Sequence, residues 1–240
     1  MSNSIVLEIC VESVDYAVAA ERAGAHRIEL CSDLSSGGIT PSAGFMKTVR
    51  RHVSIPIHVL IRPRPGDFCY SEYELEIMRA DILAAKQFAM DGIVLGILRE
   101  NSRIDIERTR SLVELAHPLP VTFHRAFDVS ENLETSLEDV IQTGASRILT
   151  SGGQPHATDA LPALARLGQA ARGRIRLMPC GGINADNLLQ VVQETQAQEF
   201  HSSAGTSNPD SAIRETNLFE QKVANMVSLL AGVSRDERVR

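Results

Sequence analysis

IVLEICVESVDYAVAAERAGAHRIELC, residues 5–31, runs from a strand into a helix, through a glycine stop, and into a second strand. In the first strand Glu8 and Cys10 alternate with Ile5, Leu7 and Ile9. In the second, Arg27, Glu29 and Cys31 alternate with Ile28 and Leu30. Successive strand side chains point to opposite faces, so each strand has one apolar and one polar face. Between them, Ser13 stands where a helix cap belongs, Tyr16, Ala17, Ala20 and Ala23 follow at helical spacing, and Gly24 ends the run.

The same joint recurs further along. Ala23-Gly24-Ala25-His26-Arg27-Ile28 is echoed by Thr143-Gly144-Ala145-Ser146-Arg147-Ile148. Strands are predicted at 5–10, 26–30, 57–61, 93–98, 120–124, 146–150, 175–178 and 199–203. Helical spacing fills 44–52, 71–90, 104–116, 133–143, 158–171 and 184–195, with a closing helix at 212–230. Alternating strands and helices imply a parallel sheet. Eight strand candidates in 240 residues fit a single (β/α)8 TIM barrel, an α/β fold, better than an open doubly wound sheet. The Gly-x-Gly-x-x-Gly turn of a dinucleotide-binding sheet is absent after the first strand. No linker divides the chain, so residues 1–232 read as one domain and 233–240 as a charged tail expected to fray.

The polar faces need a reason. A parallel strand covered by helices is expected to be apolar on both sides. Yet His58 and Arg62 alternate with Ile57, Val59 and Ile61, Thr122 and His124 with Val121 and Phe123, and His201 and Ser203 flank Ser202. A shared functional cavity would explain them, with Glu29, His124, Glu8, His58 and His201 as acid–base candidates. The competing explanation is a buried ion network of Glu8, Glu29, Arg27 and Arg62 that serves only the barrel.

Active sites of TIM barrels lie at the C-terminal strand ends. Three glycine loops are predicted there: Ser151-Gly152-Gly153, Cys180-Gly181-Gly182-Ile183-Asn184 and His201-Ser202-Ser203-Ala204-Gly205. Backbone amides of such loops, with a helix start capped by Asn184 or Asp186, suit an anion; tight turning alone is the alternative. Arg62-Pro63-Arg64-Pro65 supplies two stiffly held guanidinium forks, and Arg125 adds a third, while Phe68 and Tyr70 could wall a pocket. The expected anion or substrate contacts are therefore Arg62, Arg64, Arg125, Ser151, Gly152, Gly181, Gly182, Ser202 and Ser203.

The four cysteines, Cys10, Cys31, Cys69 and Cys180, form no C-x-x-C pair. Cys10 and Cys31 end neighbouring strands and could form a two-thiolate metal site for Cu(I), which prefers sulfur. Burial as small hydrophobes is the other reading. A net charge of −6 argues against nucleic acid or an anionic membrane as partner. No apolar run spans a bilayer, and Met1–Ser4 lacks a basic lead into a signal-like stretch, so a cytoplasmic protein with reduced thiols is expected.

These motifs in this order resemble the CutC family. The matching stretches are Leu7-Glu8-Ile9-Cys10, Arg27-Ile28-Glu29-Leu30-Cys31, Gly37-Gly38-Ile39-Thr40-Pro41-Ser42, Ile61-Arg62-Pro63-Arg64 and Gly66-Asp67-Phe68-Cys69-Tyr70-Ser71. They continue through Val121-Thr122-Phe123-His124-Arg125-Ala126-Phe127-Asp128, Ile148-Leu149-Thr150-Ser151-Gly152-Gly153 and Glu199-Phe200-His201-Ser202-Ser203-Ala204. The resemblance implies a TIM barrel, a cytoplasmic location, homo-oligomers such as a dimer or tetramer, and a role in copper homeostasis through Cu(I) held by Cys10 and Cys31. Two departures stand out: Cys180 replaces a usual Gly or Ala, and the run after Gly205 is short. The alternative function is a TIM-barrel isomerase, lyase or hydrolase acting on a small phosphorylated or carboxylated metabolite.

Overall fold

The computed structural model describes residues 5–205 and 213–236. Eight strands alternate with eight helices: β1 Val6–Val11, α1 Val14–Arg22, β2 Arg27–Leu30, α2 Ala43–His52, β3 Ile57–Leu60, α3 Glu72–Gln87, β4 Gly92–Leu95, α4 Ile106–Ala116, β5 Val121–Phe123, α5 Leu133–Thr143, β6 Arg147–Thr150, α6 Leu161–Ala171, β7 Arg176–Pro179, α7 Leu188–Thr195, β8 Glu199–Ser202 and α8 Ile213–Asp236. All ladders are parallel, in the order β7-β6-β5-β4-β3-β2-β1-β8. β7 and β8 lie side by side without a ladder, so the barrel is nearly closed, as the strand count predicts.

Local chemistry fixes the joints. The Ser13 hydroxyl accepts from Tyr16 N–H and caps α1. Ser71 and Glu74 form a reciprocal capping box on α3. Gly24 and Gly144, the two echoed stops, have φ of 88° and 84°, which a side chain would strain.

Some boundaries differ from the sequence reading. β4 ends at Leu95, and Leu98, three residues on, joins Ile104 in an isolated antiparallel bridge; between them a Cβ on Gly96 would stand 2.6 Å from His124 Nδ1. Residues 157–159 form a 3-10 turn and α6 starts only at Leu161, with Pro162 in its first turn. Helix α7 begins at Leu188, and Asn184 and Asn187 bond within the preceding turn rather than capping at the glycines. The closing helix reaches Asp236. The short run after Gly205 and residues 237–240 of the expected tail lie outside the described residues.

The register turns one parity inward. Glu8 pairs with Arg27 and His201, Cys10 with Glu29, Glu29 with His58, His58 with Gly92, and Thr122 with Arg147. The opposite parity, including Leu7, Ile9, Ile28, Leu30, Val59, Ile93 and Phe200, is buried in the main core shared with the helices. Leu60, Val94, Cys10 and Cys31 form a separate small apolar cluster, and Leu149, Met178 and Cys180 another. Among the described residues no helix is long and apolar enough to cross a membrane.

Candidate functional site

The inward face divides into two zones. Toward the strand N-termini it is a closed ion network. Arg27 Nε donates to Glu8 Oε2 at 2.5 Å and its Nη2 to Glu199 Oε2 at 2.7 Å. Arg147 Nε donates to the same Glu199 oxygen at 2.6 Å, and its Nη1 to Thr122 Oγ1 at 3.1 Å. Each charge has an opposite partner, which burial requires. Burial alone would raise Glu8, but Arg27, His201 and His58 hold it well below the usual carboxylate range.

His58 belongs to this zone. Its Nδ1 lies 3.7 Å from Glu8 Oε2, and burial pushes the imidazole down to about 4. Gly92 opposite makes the room: a Cβ there would stand 2.4 Å from the ring.

Above the network a pocket of about 360 Å³ opens at the C-terminal strand ends. Cys10, Cys31, Glu29 and His201 line it together with Arg62, Phe68, His124, Arg125, Cys180, Gly181, Gly182, Ser202 and Ser203. Cys10 Sγ and Cys31 Sγ are 3.2 Å apart, and Cys31 Sγ also reaches Val11 O at 3.7 Å. The bond to Cys31, and then burial, raise the Cys10 thiol well above its ordinary value. His201 connects the zones. Its Nδ1 is 2.7 Å from Glu8 Oε1 and its Nε2 3.5 Å from Glu29 Oε2. Burial would lower His201, but Glu8 and Glu29 raise it. Burial raises Glu29 to about 7. Ligand atoms of Cys10, Glu29 and His201 all lie within 4.8 Å of one another, a spacing that suits one metal ion.

His124 sits on the same wall. Its Nδ1 accepts from Ala126 N–H at 3.1 Å, and its ring packs on Phe68 with centroids 4.9 Å apart. Burial, reinforced by Arg62, lowers it to about 3. Arg62 is buried, lies over Phe68 with its guanidinium carbon 4.9 Å from the centroid, and donates to the carbonyls of Ser36, Gly38 and Gly66. Among the described residues no carboxylate reaches it at ion-pair distance. Arg125 is paired with Asp128 at 2.9 Å and bonds Ser151 Oγ at 2.8 Å.

The chain belongs to the CutC family. The family model described as "CutC family" matches residues 5–206. The human "Copper homeostasis protein cutC homolog" is 49% identical over 216 residues, covering 90% of this chain and 79% of that protein. A family protein CutC from Vibrio campbellii is 47% identical over 205 residues, covering 85% and 83%. A solved CutC structure from Streptococcus agalactiae superposes with TM-score 0.79 at 35% identity, covering 83% of this chain and 98% of that one. The N-(5'-phosphoribosyl)anthranilate isomerase of Pyrococcus furiosus, at TM-score 0.61 and 13% identity, shares the fold alone.

In this CutC-family barrel the predicted residues separate clearly. Cys10, Cys31, Glu29, His124, His201, Arg62, Arg125, Gly181, Gly182, Ser202 and Ser203 come together at the mouth. Glu8 and His58 do not line the pocket; they lie beneath it, where Glu8 braces His201. Arg64 is not brought there either: it pairs with Glu74 of α3 at 2.5 Å and with Asp67 of its own loop at 3.0 Å. Ser151 and Gly152 also miss the pocket. Their loop already holds an anion of its own, Asp128, whose carboxylate accepts from Thr150 Oγ1, Ser151 N–H, Ser151 Oγ and Gly153 N–H. The parity rule, extended two residues back from His201, would have found Glu199; Arg147 shares the inward parity of β6 in the same way. Cys180, the unusual cysteine, is buried in the pocket wall, and burial raises its thiol well above the ordinary value.

Proposed function

We propose that this protein serves copper homeostasis by binding one Cu(I) between Cys10 and Cys31, with His201 as a third ligand and copper as cargo. The carrying observation is the 3.2 Å approach of the two sulfurs in the pocket floor. Thiolates are the ligands that select Cu(I). His201 is oriented for the part: Glu8 engages Nδ1 at 2.7 Å, which leaves Nε2 on the Glu29 side, 3.5 Å from its Oε2, and a His201 ligand atom lies within 4.8 Å of Cys10 Sγ. A carboxylate behind a ligating imidazole fixes its orientation and raises its basicity. The copper homeostasis naming of the human relative agrees with this cargo. The test is anaerobic Cu(I) titration against a competing chelator. One equivalent per chain is expected, lost in Cys10→Ser and in Cys31→Ser; uptake that survives both changes would exclude this site.

A second reading, binding and turnover of a small anionic metabolite in the same pocket, is favoured by one observation. The buried Arg62 charge has no carboxylate partner among the described residues, whereas Arg27 and Arg147 are both ion-paired. A buried cation with no carboxylate at ion-pair distance is a place prepared for an anion.

A further inference from the structure

We propose that Arg62 and His124 form a ligand subsite beside the thiol pair, and that it takes a small carboxylate also bearing a hydroxyl or carbonyl oxygen. The proposal rests on the second reading above and names the ligand class.

His124 supplies the half that charge alone does not. Its Nδ1 accepts the Ala126 N–H, so in the neutral ring the proton sits on Nε2. That Nε2–H is buried and has no hydrogen-bond partner among the described residues. The ring cannot easily turn to find one. Phe68 packs on it at 4.9 Å, and the backbone just after β4 lies so close that a Cβ on Gly96 would stand 2.6 Å from Nδ1. A held donor without an acceptor, in the wall of a pocket, is a place for a neutral ligand oxygen.

Arg62 supplies the charge. Its three bonds to Ser36, Gly38 and Gly66 are all to neutral carbonyls, so they hold the side chain without neutralising it. The other guanidinium of the pocket, Arg125, is already paired with Asp128. One positive charge without an ion pair, felt by Asp33 only at longer range, matches a carboxylate better than a doubly charged phosphate. Both groups pack on Phe68, the guanidinium carbon and the imidazole each 4.9 Å from its ring centre, and both line the same pocket of about 360 Å³. Gly181 and Gly182 line the same pocket and pack closely against the 155–156 segment. A Cβ on Gly182 would stand 2.5 Å from His156 Nδ1, and one on Gly181 2.9 Å from Pro155 O.

The experiment is calorimetric titration of the full chain at neutral pH. Pyruvate, lactate and 3-hydroxybutyrate are compared with propionate, butyrate and inorganic phosphate, and His124 Nε2–H is followed by nitrogen-15 NMR. At least one oxo or hydroxy acid should bind saturably, tenfold or more tighter than its parent acid, and shift the His124 signal. His124→Phe, which keeps the ring packing, should erase that tenfold preference while leaving Cu(I) uptake intact. The NMR shift in the unmodified protein decides the matter if the Phe variant does not fold. Preference for phosphate, or equal binding of parent and substituted acids, would overturn the ligand class while leaving an anion site standing. No saturable binding of any anion would remove the subsite and the metabolite reading together, and neither result bears on copper.

Discussion

His201 Nδ1 lies 2.7 Å from Glu8 Oε1, and this contact joins the buried ion network to the pocket above it. Glu8 also takes the Arg27 Nε–H, so one carboxylate braces a barrel cation below and a pocket imidazole above. Glu8→Gln keeps the shape but leaves Arg27 short of a counter-charge. Removing one member of a buried pair costs about 3–5 kcal/mol. A drop of about that size in chemical denaturation, with the apparent affinity for Cu(I) also reduced, is expected. Unchanged stability would show that Glu199 alone satisfies Arg27.

Gly92 is required by His58 rather than by its backbone, whose φ is not left-handed. Gly92→Ala should destabilise the barrel by about 1–3 kcal/mol through overpacking. His58→Ala in the same chain should recover most of that loss. A double variant as weak as the sum of the singles would refute the pairing.

The two buried neutral imidazoles set an acid limit. His58 falls to about 4 and His124 to about 3, both mainly through burial. An unfolded imidazole titrates near 6.5. Between that value and the lowered ones the unfolded chain binds more protons, so stability falls as pH falls through the window. The slope is about 1.4 kcal/mol per pH unit for each imidazole. Glu29, raised to about 7, works the other way: its contribution is greatest below the ordinary carboxylate range and fades as pH rises through 7. His124→Phe should flatten the acid limb of stability measured between pH 6 and 4. An unaltered limb would mean that His124 is not buried neutral.

Arg62 and Arg64 share one Arg-Pro-Arg-Pro stretch but have different partners. Arg64→Ala, which loses Glu74 of α3 and Asp67 of its own loop, should leave ligand binding at the mouth within about twofold of the original. Exposed pairs of this kind contribute about 0–1 kcal/mol. A large binding loss in the Arg64 variant, read by the same calorimetry, would place that side chain in the pocket after all.

The alternation of Glu8 and Cys10 with Leu7 and Ile9 was enough to show an inward polar face, and eight such segments were enough for the barrel. Alternation could not divide that face into network and pocket. The division depends on Glu199, which bonds Arg27 and Arg147 from two other strands, and such contacts leave no local spacing signal. The Ser151 loop shows a similar limit. Its glycines mark a turn suited to an anion, but the anion is the Asp128 side chain, supplied by the preceding βα loop. Ser71 and Glu74, by contrast, declared their helix start locally, because a capping box is complete within four residues.

Copper binding should also report its protons. Cys10 is raised well above its ordinary value by Cys31 and burial, so metal must displace protons to bind. Apparent affinity is expected to rise up to tenfold per pH unit for each proton released. Affinity independent of pH between 6 and 8 would mean ligands other than these thiols.

X-ray absorption at the copper edge of the Cu(I)-loaded chain tests the central claim most directly. The account predicts two sulfur neighbours and one nitrogen, with the nitrogen contribution lost in His201→Phe and sulfur lost in Cys31→Ser. A copper shell without sulfur, or one unchanged by Cys31→Ser, would contradict it.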